Sequence, residues 1–459
     1  MEIERIVAAQ RAYFAAGCTR SVEARRAALL RLQAEIKKRE GELQQALKSD
    51  LNKSGYEAYM CEIGLALDEV GHAIRQVARW AKPRRVRTPM AQFSARSTMY
   101  KEPYGVTLVM APWNYPLLLS LDPLVGAVAA GNCVVLKPSA YAPATSHALA
   151  LLCAAVFEPG WVTVVEGGRK ENSALLEQRF DYIFFTGGVT VGKLVMEKAS
   201  RWATPVTLEL GGKSPVIVDA TADIPLTARR IAFGKVLNAG QTCVAPDYLL
   251  VHSSVKDALV AELERQFTAM LGPDPLHAPD YVRIVNRRHF ERLLGLLEGE
   301  PLLCGGASRA DEISGWIAPT LVDCPDPARC KPMQEEIFGP ILPVLTFDEL
   351  PQAVAFVNGR EKPLALYLFT RSKAAKQLVL DHCSYGGGCI NDTIIHLATH
   401  EMPFGGVGAS GMGGYHGRFS FDTFSHTKSV VDKACWVDLP MRYQPYRTAY
   451  EKMLRLFLK

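Results

Sequence analysis

Apolar residues recur through residues 21–51 at intervals of three, four or seven: Leu29, Leu32, Ile36, Leu43 and Leu47. That spacing predicts an amphipathic helix with Ser21 as its N-cap. Its other face, carrying Arg25, Arg26, Arg31, Lys37, Lys38 and Glu40, reads as solvated surface. A second helix is predicted over about 58–81. Lys82-Pro83-Arg84-Arg85 interrupts it, and residues 82–100 then alternate like an extended arm or hairpin, lying on the surface or reaching another subunit. From 105 to 212 the pattern changes. Short β-rich runs at 105–110, 133–137, 162–165, 182–185 and 206–210 alternate with helix-length segments at 117–131, 142–156, 171–178 and 189–200. Such alternation predicts right-handed βαβ units and a parallel sheet. A second alternating region runs from Val216 to about 400, with strands at 216–218, 248–251, 341–345 and 365–369. The chain is therefore expected to be α/β, with two lobes.

One charge-free stretch, Tyr104 to Leu121, is long enough to invite a membrane reading. Pro112, Asn114 and Pro116 break it, so it reads as a buried strand, a turn and the start of a buried helix. Residues 446–459 form a basic amphipathic tail without the apolar run a span requires. Docking on its own or a partner subunit is favoured over contact with a membrane surface.

The 459 residues are 48% hydrophobic and 22% charged, which excludes a disordered or fibrous chain. Lys plus Arg exceeds Asp plus Glu by 52 − 47 = 5, too thin an excess to indicate nucleic acid; at most it favours anionic small molecules. The 11 cysteines have no paired spacing, and the first residues show no apolar leader, so a reduced, cytoplasmic protein is expected. No metal site is expected.

Four places carry chemistry. Phe185-Thr186-Gly187-Gly188-Val189-Thr190-Val191-Gly192-Lys193 follows a strand and opens a helix, where glycines let a backbone approach a dinucleotide; a tight turn explains them equally well. Cys243 lies on a loop in Gly240-Gln241-Thr242-Cys243-Val244-Ala245-Pro246, a setting for an accessible thiolate nucleophile, although most cysteines are inert. Glu209 ends a predicted strand between two leucines. Burial there would raise its pKa toward that of a general base, unless it pairs with Lys213. Asn114 also falls at a strand's carboxyl end, where its amide can serve a developing oxyanion, cap the next helix, or both.

Taken together, these motifs resemble the NAD(P)-dependent aldehyde dehydrogenase superfamily over residues 1–435. The PWN segment at 112–114, VVLKPS at 134–139, LELGGKSP at 208–215, GQTCVAPDY at 240–248, EEIFGP at 335–340 and PFGGVGASGMGGYHG at 403–417 occur in the family's order. The wording of the last runs, and the lack of a long N-terminal extension, resemble the class-3 branch. The resemblance implies two Rossmann-like doubly wound domains plus a small β oligomerisation arm. Residues 1–81 and 101–210 would bind the dinucleotide, 211–400 would be catalytic, 82–100 and 401–435 would bridge subunits, and 436–459 would be the tail.

It also implies roles. Cys243 would attack the aldehyde, Asn114 and the Cys243 N–H would hold the oxyanion, and Glu209 would activate the water that hydrolyses a thioester. Trp113, Lys137, Gly187, Gly188, Gly192, Glu336 and Phe338 would contact the cofactor, with Lys137 at the adenosine ribose and Glu336 at the nicotinamide ribose. Tyr115, Phe233 and Phe404 would line a pocket for medium-chain aliphatic or aromatic aldehydes, and a homodimer is expected. Two positions depart from the family pattern: Gly188 where Ser is common, and Ala140 where Glu often accepts from the ribose 2′-hydroxyl. Without that carboxylate, NADP is expected to be used as well as NAD. Glu209 argues against a CoA-acylating relative, the complete residue set against a non-catalytic one, and the cofactor-type motifs against a papain-like hydrolase.

Overall fold

The computed structural model describes residues 2–457; Leu458 and Lys459 of the tail lie outside the described residues. The chain opens with a further helix, Glu2–Ala15, whose buried residues are Val7 and Gln10. It is anchored by a polar contact, the Gln10 side chain donating to the Val134 carbonyl at 2.7 Å. The helix expected over 21–51 is two, Val22–Lys38 and Glu40–Leu51, with Ser21 capping the first as expected. Arg39 breaks them while its guanidinium bonds Glu35 and Glu42 across the seam. The joint is polar and on the surface, so the apolar spacing runs through it unmarked. The next helical region starts earlier than expected, at Gly55–Ala58. It passes through a π turn at Tyr59–Ile63 and continues as Gly64–Trp80.

Two doubly wound parallel sheets follow. The first has the order Gly411–Met412, Val206–Glu209, Tyr182–Thr186, Val106–Met110, Cys133–Lys137, Val162–Val164. All its pairings are parallel except that of Gly411–Met412. From Val106–Met110 the order runs one way to the next two strands in sequence and the other way to the later ones. The switch point, where ligands bind in open α/β sheets, therefore lies at the carboxyl end of that strand. The second sheet has the order Leu302–Cys304, Thr320–Asp323, Ile341–Phe347, Tyr248–His252, Pro215–Val218, Ala365–Phe369, Gly387–Ile390. The strands at Leu302–Cys304, Thr320–Asp323 and Gly387–Ile390 lacked a recognisable β-rich run.

The arm is a small antiparallel sheet, Arg84–Val86 and Ala95–Pro103, completed by the distant strand Ser425–Lys433. Its rim leaves Met90, Phe93, Val431 and Trp436 exposed. The tail forms a helix at Thr448–Phe457. Among the described residues no helix is long and apolar enough to cross a membrane, and no cluster of three His, Cys, Asp or Glu side chains could hold a metal.

Candidate active site

Cys243 follows the helix Ile224–Val236 and a turn, Leu237–Gly240, in which Asn238 and Ala239 have φ of 50° and 52°. Two successive non-glycine residues in the left-handed region are strained, and the surroundings must hold them there. They do so with a dense set of bonds. Asn238 Nδ2 donates to the carbonyls of Asn114 and Gln241, both at 3.0 Å, and its N–H donates to Glu57 at 3.0 Å. The Gln241 amide donates to the Asn238 and Arg283 carbonyls and accepts from the Val285 N–H. Asn114, buried, donates from Nδ2 to the Gln241 carbonyl at 3.0 Å, and the Tyr115 hydroxyl meets Thr242 Oγ1 at 2.7 Å. Asn114 and the Cys243 loop are thereby brought together.

Three expectations change at this point. Asn114 does not cap the following helix; the N–H groups of Leu117 and Leu118 are taken by the buried Glu62 carboxylate at 2.8 and 3.2 Å. Glu209 does not pair with Lys213, whose ammonium bonds Asp247 and the carbonyls of Pro332 and Glu335. Cys243 is half-buried rather than openly accessible. Burial, then the carboxyls of Glu336 and Glu209, push its thiol up to about 12, so in the protein alone it is a thiol and not a thiolate.

Glu209 ends the strand Val206–Glu209 with both carboxyl oxygens buried and without a hydrogen-bond partner. Burial holds its pKa well above the usual carboxylate range. The glycine-rich run is what packs over it. Gly411 stands opposite Glu209 in the antiparallel edge pairing, and a Cβ on Gly405 would lie 3.1 Å from Glu209 Oε1. The compositional anomaly is thus a segment whose backbone has to pass close to a buried carboxyl.

Several of the residues expected at the cofactor lie at or just beyond the carboxyl ends of the first sheet's strands. Lys137, buried at the end of its strand, donates to the carbonyls of Pro138 and Gly167 at 2.6 Å. Gly187 and Gly188 follow the strand Tyr182–Thr186, and a Cβ on Gly188 would meet nothing, so the Ser common there would fit. Gly192 differs: its missing side chain makes room for Leu210, which is helix-on-strand packing. Glu336 Oε1 is buried and unpartnered, and burial reinforced by Asp247 pushes its pKa up to about 8. The loop carrying it is tied down by Arg292, which donates to Glu335 and to the Ile337 carbonyl, and by Asp247, which accepts from the Ile337 N–H. Phe338, at φ 48°, sets its ring edge-on to Trp113 with centroids 5.3 Å apart. His289 lies 5.4 Å from Trp113 on the same wall. His289, Arg292 and Asp247 are additions that carried no signal of their own in the sequence. The orphaned Glu336 oxygen, the open space at Gly188 and the lysine at the strand end suit a nicotinamide dinucleotide.

The pocket residues are less united. Tyr115 and Phe404 are buried, Phe404 within an aromatic group with Tyr415, His416 and His396. Phe233 is exposed on the helix Ile224–Val236, and among the described residues no ring pairing joins it to the other two. The thiol–imidazole contact among the described residues is Cys389 with His396, at 3.6 Å, and not one to Cys243. His396 and His400 stand four apart but turn to different partners, His400 bonding Glu69 and Asp68.

Residues 1–430 match the aldehyde dehydrogenase family. The chain belongs to the aldehyde dehydrogenase family. It is an NAD(P)-dependent oxidoreductase that oxidises aldehydes, and its relatives place it on the class-3 branch. It is 46% identical over 451 residues to a 4,4'-diaponeurosporen-aldehyde dehydrogenase of Staphylococcus aureus, covering 98% of this chain and 97% of that one. It is 46% identical to mouse aldehyde dehydrogenase family 3 member B1, covering 96% and 94%. It is 41% identical to a dog protein named aldehyde dehydrogenase, dimeric NADP-preferring, covering 97% and 98%. A solved Staphylococcus aureus AldH in a substrate-bound state superposes with a TM-score of 0.97 at 45% identity, covering 100% and 99%.

Proposed function

We propose that this dehydrogenase converts medium-chain aliphatic or aromatic aldehydes to carboxylic acids through a covalent intermediate on Cys243. The Cys243 thiol releases its proton to solvent and its sulfur adds to the aldehyde carbon, and the Asn114 amide with the Cys243 N–H holds the oxyanion. NAD(P), when bound, takes the hydride that leaves that carbon, and a thioester remains on the sulfur. Glu209 then removes a proton from water, which attacks the thioester and releases the acid and the thiol. Lys137, Trp113, Gly187, Gly188, Glu336 and Phe338 bind and orient the cofactor, Gly192 by letting its helix pack close. Ala140 leaves the adenosine end without a carboxylate, and we assign acceptance of NADP alongside NAD to that position.

The observation that carries this reading is the shared frame of nucleophile and oxyanion donor. Asn114 bonds the Gln241 carbonyl two residues before Cys243, while an unpartnered Glu209 carboxyl lies close enough to perturb the thiol. The pocket assignment rests on the apolar character of Tyr115, Phe404 and Phe233. The division of the chain stated above, with 82–100 and 401–435 bridging two copies in a homodimer, is part of the same reading. The exposed rim of the arm and the dimeric name of the dog relative support it.

The test is production of reduced cofactor from a mid-chain aldehyde with NAD and NADP in parallel. Steady turnover abolished by Cys243→Ala, and a single burst that stalls in Glu209→Gln, are the expected results. A stalled burst in the unaltered protein would mean that water is not the acceptor and would remove the hydrolytic step.

A further inference from the structure

Behind the proposed oxyanion position lies a buried ion pair that the mechanism does not use. Lys53 and Glu62 are both fully inaccessible to solvent and bonded to each other. Their environment is unusual for charged groups, which are seldom buried without a specific arrangement around them. The π turn at Tyr59–Ile63 carries Glu62 inward, and such single turns concentrate at functional sites. Its second oxygen closes the start of the helix Leu118–Ala130, where a carboxylate also suits the helix dipole. Lys53 spends its remaining contacts on the residue pair that faces the nucleophile. Nζ donates to the Asn114 carbonyl at 2.9 Å and stands 4.1 Å from the Tyr115 ring centroid. Asn238 donates to the same carbonyl from the nucleophile's side.

We infer that Lys53 is a positioning residue for aldehyde oxidation: its buried ammonium holds the Asn114 main chain and the Tyr115 ring in place, so that the Asn114 amide and the Cys243 loop keep one rigid geometry. The carbonyl of Asn114 is pinned from two sides, by Lys53 on the helical layer and by Asn238 on the strained turn. Its side chain spans to Gln241, and the neighbouring Tyr115 spans to Thr242. Asn114 is thereby left little freedom to rotate or shift. Glu62 holds the ammonium in place, and Glu57, which accepts from the Asn238 N–H, ties the adjoining helical segment to the turn. The inference rests on the oxyanion role assigned to Asn114 above, and the experiment separates the two.

In the full-length enzyme, Lys53→Met is combined with Glu62→Gln, which removes both charges together and keeps an acceptor for Leu117 and Leu118. Steady-state kinetics are measured for this pair, for Asn114→Ala, and for all three substitutions together, with cofactor binding followed separately. A positioning role predicts that kcat falls by ~10- to 100-fold with cofactor affinity retained, the scale expected of a small misplacement. It also predicts that adding Asn114→Ala lowers kcat little further, because both changes act through one amide. Wild-type kcat in the paired variant, or losses that multiply in the combined one, would overturn the inference. Full activity in Asn114→Ala would instead overturn the oxyanion assignment. If the paired variant does not fold, Lys53→Arg takes its place, since a longer guanidinium keeps the charge but displaces the carbonyl it holds. A several-fold loss of kcat at unchanged melting temperature supports the role, and unchanged kcat rejects it.

Discussion

Glu69 accepts hydrogen bonds from His400 Nδ1 at 2.8 Å and from the Gly417 N–H at 2.9 Å, so one buried carboxylate ties together the two ends of the segment that packs over Glu209. The other ring nitrogen of His400 meets Asp68 at 2.7 Å. With a carboxylate on each nitrogen the imidazolium is favoured, and these bonds hold the His400 pKa above its ordinary 6.5. The stacked His72, with Arg75, Glu401 and His416 nearby, completes its charged surroundings. A raised folded pKa gives stability that is fully present below 6.5 and lost as pH rises through the folded value. His400→Gln is therefore expected to cost about 1–2 kcal/mol in mildly acid solution and less in alkali. Denaturant melts across pH check this; a cost independent of pH would argue against the imidazolium.

Glu209 shifts stability with pH in the same direction, the reverse of the usual paired carboxylate. Its folded pKa is raised, so the unfolded chain releases that proton first, and folding loses stability as pH climbs from the ordinary carboxylate range toward the folded value. Glu209→Gln removes that linkage and should stabilise the protein at neutral pH by about 1 kcal/mol or more, the scale of one unit of pKa shift. Thermal melts should show the gain growing with pH, while turnover is lost.

Turnover should rise with pH across the neutral and alkaline range. Glu209 works as a base only when ionised, and Cys243 attacks as its thiolate. Burial raises both, to well above the carboxylate range and to about 12, so each active form gains population as pH increases. Flat or falling pH profiles of kcat/KM, which reads the Cys243 attack, and of kcat, which includes the hydrolysis by Glu209, would count against the respective assignments.

A methyl group on Gly405 would sit 3.1 Å from Glu209 Oε1 and 2.9 Å from the Gly414 backbone. Gly405→Ala should destabilise the fold by about 1–3 kcal/mol and lower kcat, because the carboxyl or the segment above it must shift. Gly188→Ala, which meets open space, is the control expected to fold normally.

Ala140→Glu should restore discrimination against a 2′-phosphate. A carboxylate set about 4 Å from such a group costs about 1 kcal/mol or more in a solvated cleft, so kcat/KM with NADP should fall ~10-fold relative to NAD. Parallel kinetics with the two cofactors read this directly, and an unchanged ratio would place the selectivity elsewhere.

The parallel strands were legible because strands buried on both faces are continuous apolar runs, as at Val106–Met110 and Cys133–Lys137. Cys243, Glu209 and Asn114 stood out because their residue types are unusual in those places. What stayed hidden depends on partners distant in sequence. Glu69 meets His400 across 331 positions and Lys53 meets Asn114 across 61, and neither pair has a local pattern. The helix Glu2–Ala15 packs Ile3, Ile6, Val7, Tyr13 and Phe14 on the core, with the buried Gln10 interrupting that stripe. The protonation of Cys243 follows from enclosure, which a loop sequence does not display.

The edge strand Gly411–Met412 comes from chain that has already built the second sheet, yet it completes the first, and the Leu210 N–H is bonded to the Ser410 carbonyl beside it. The chain crosses between the two sheets twice beside Glu209, at 210–214 and again at 391–410, so the wall over that carboxyl is built by backbone returning from the other sheet.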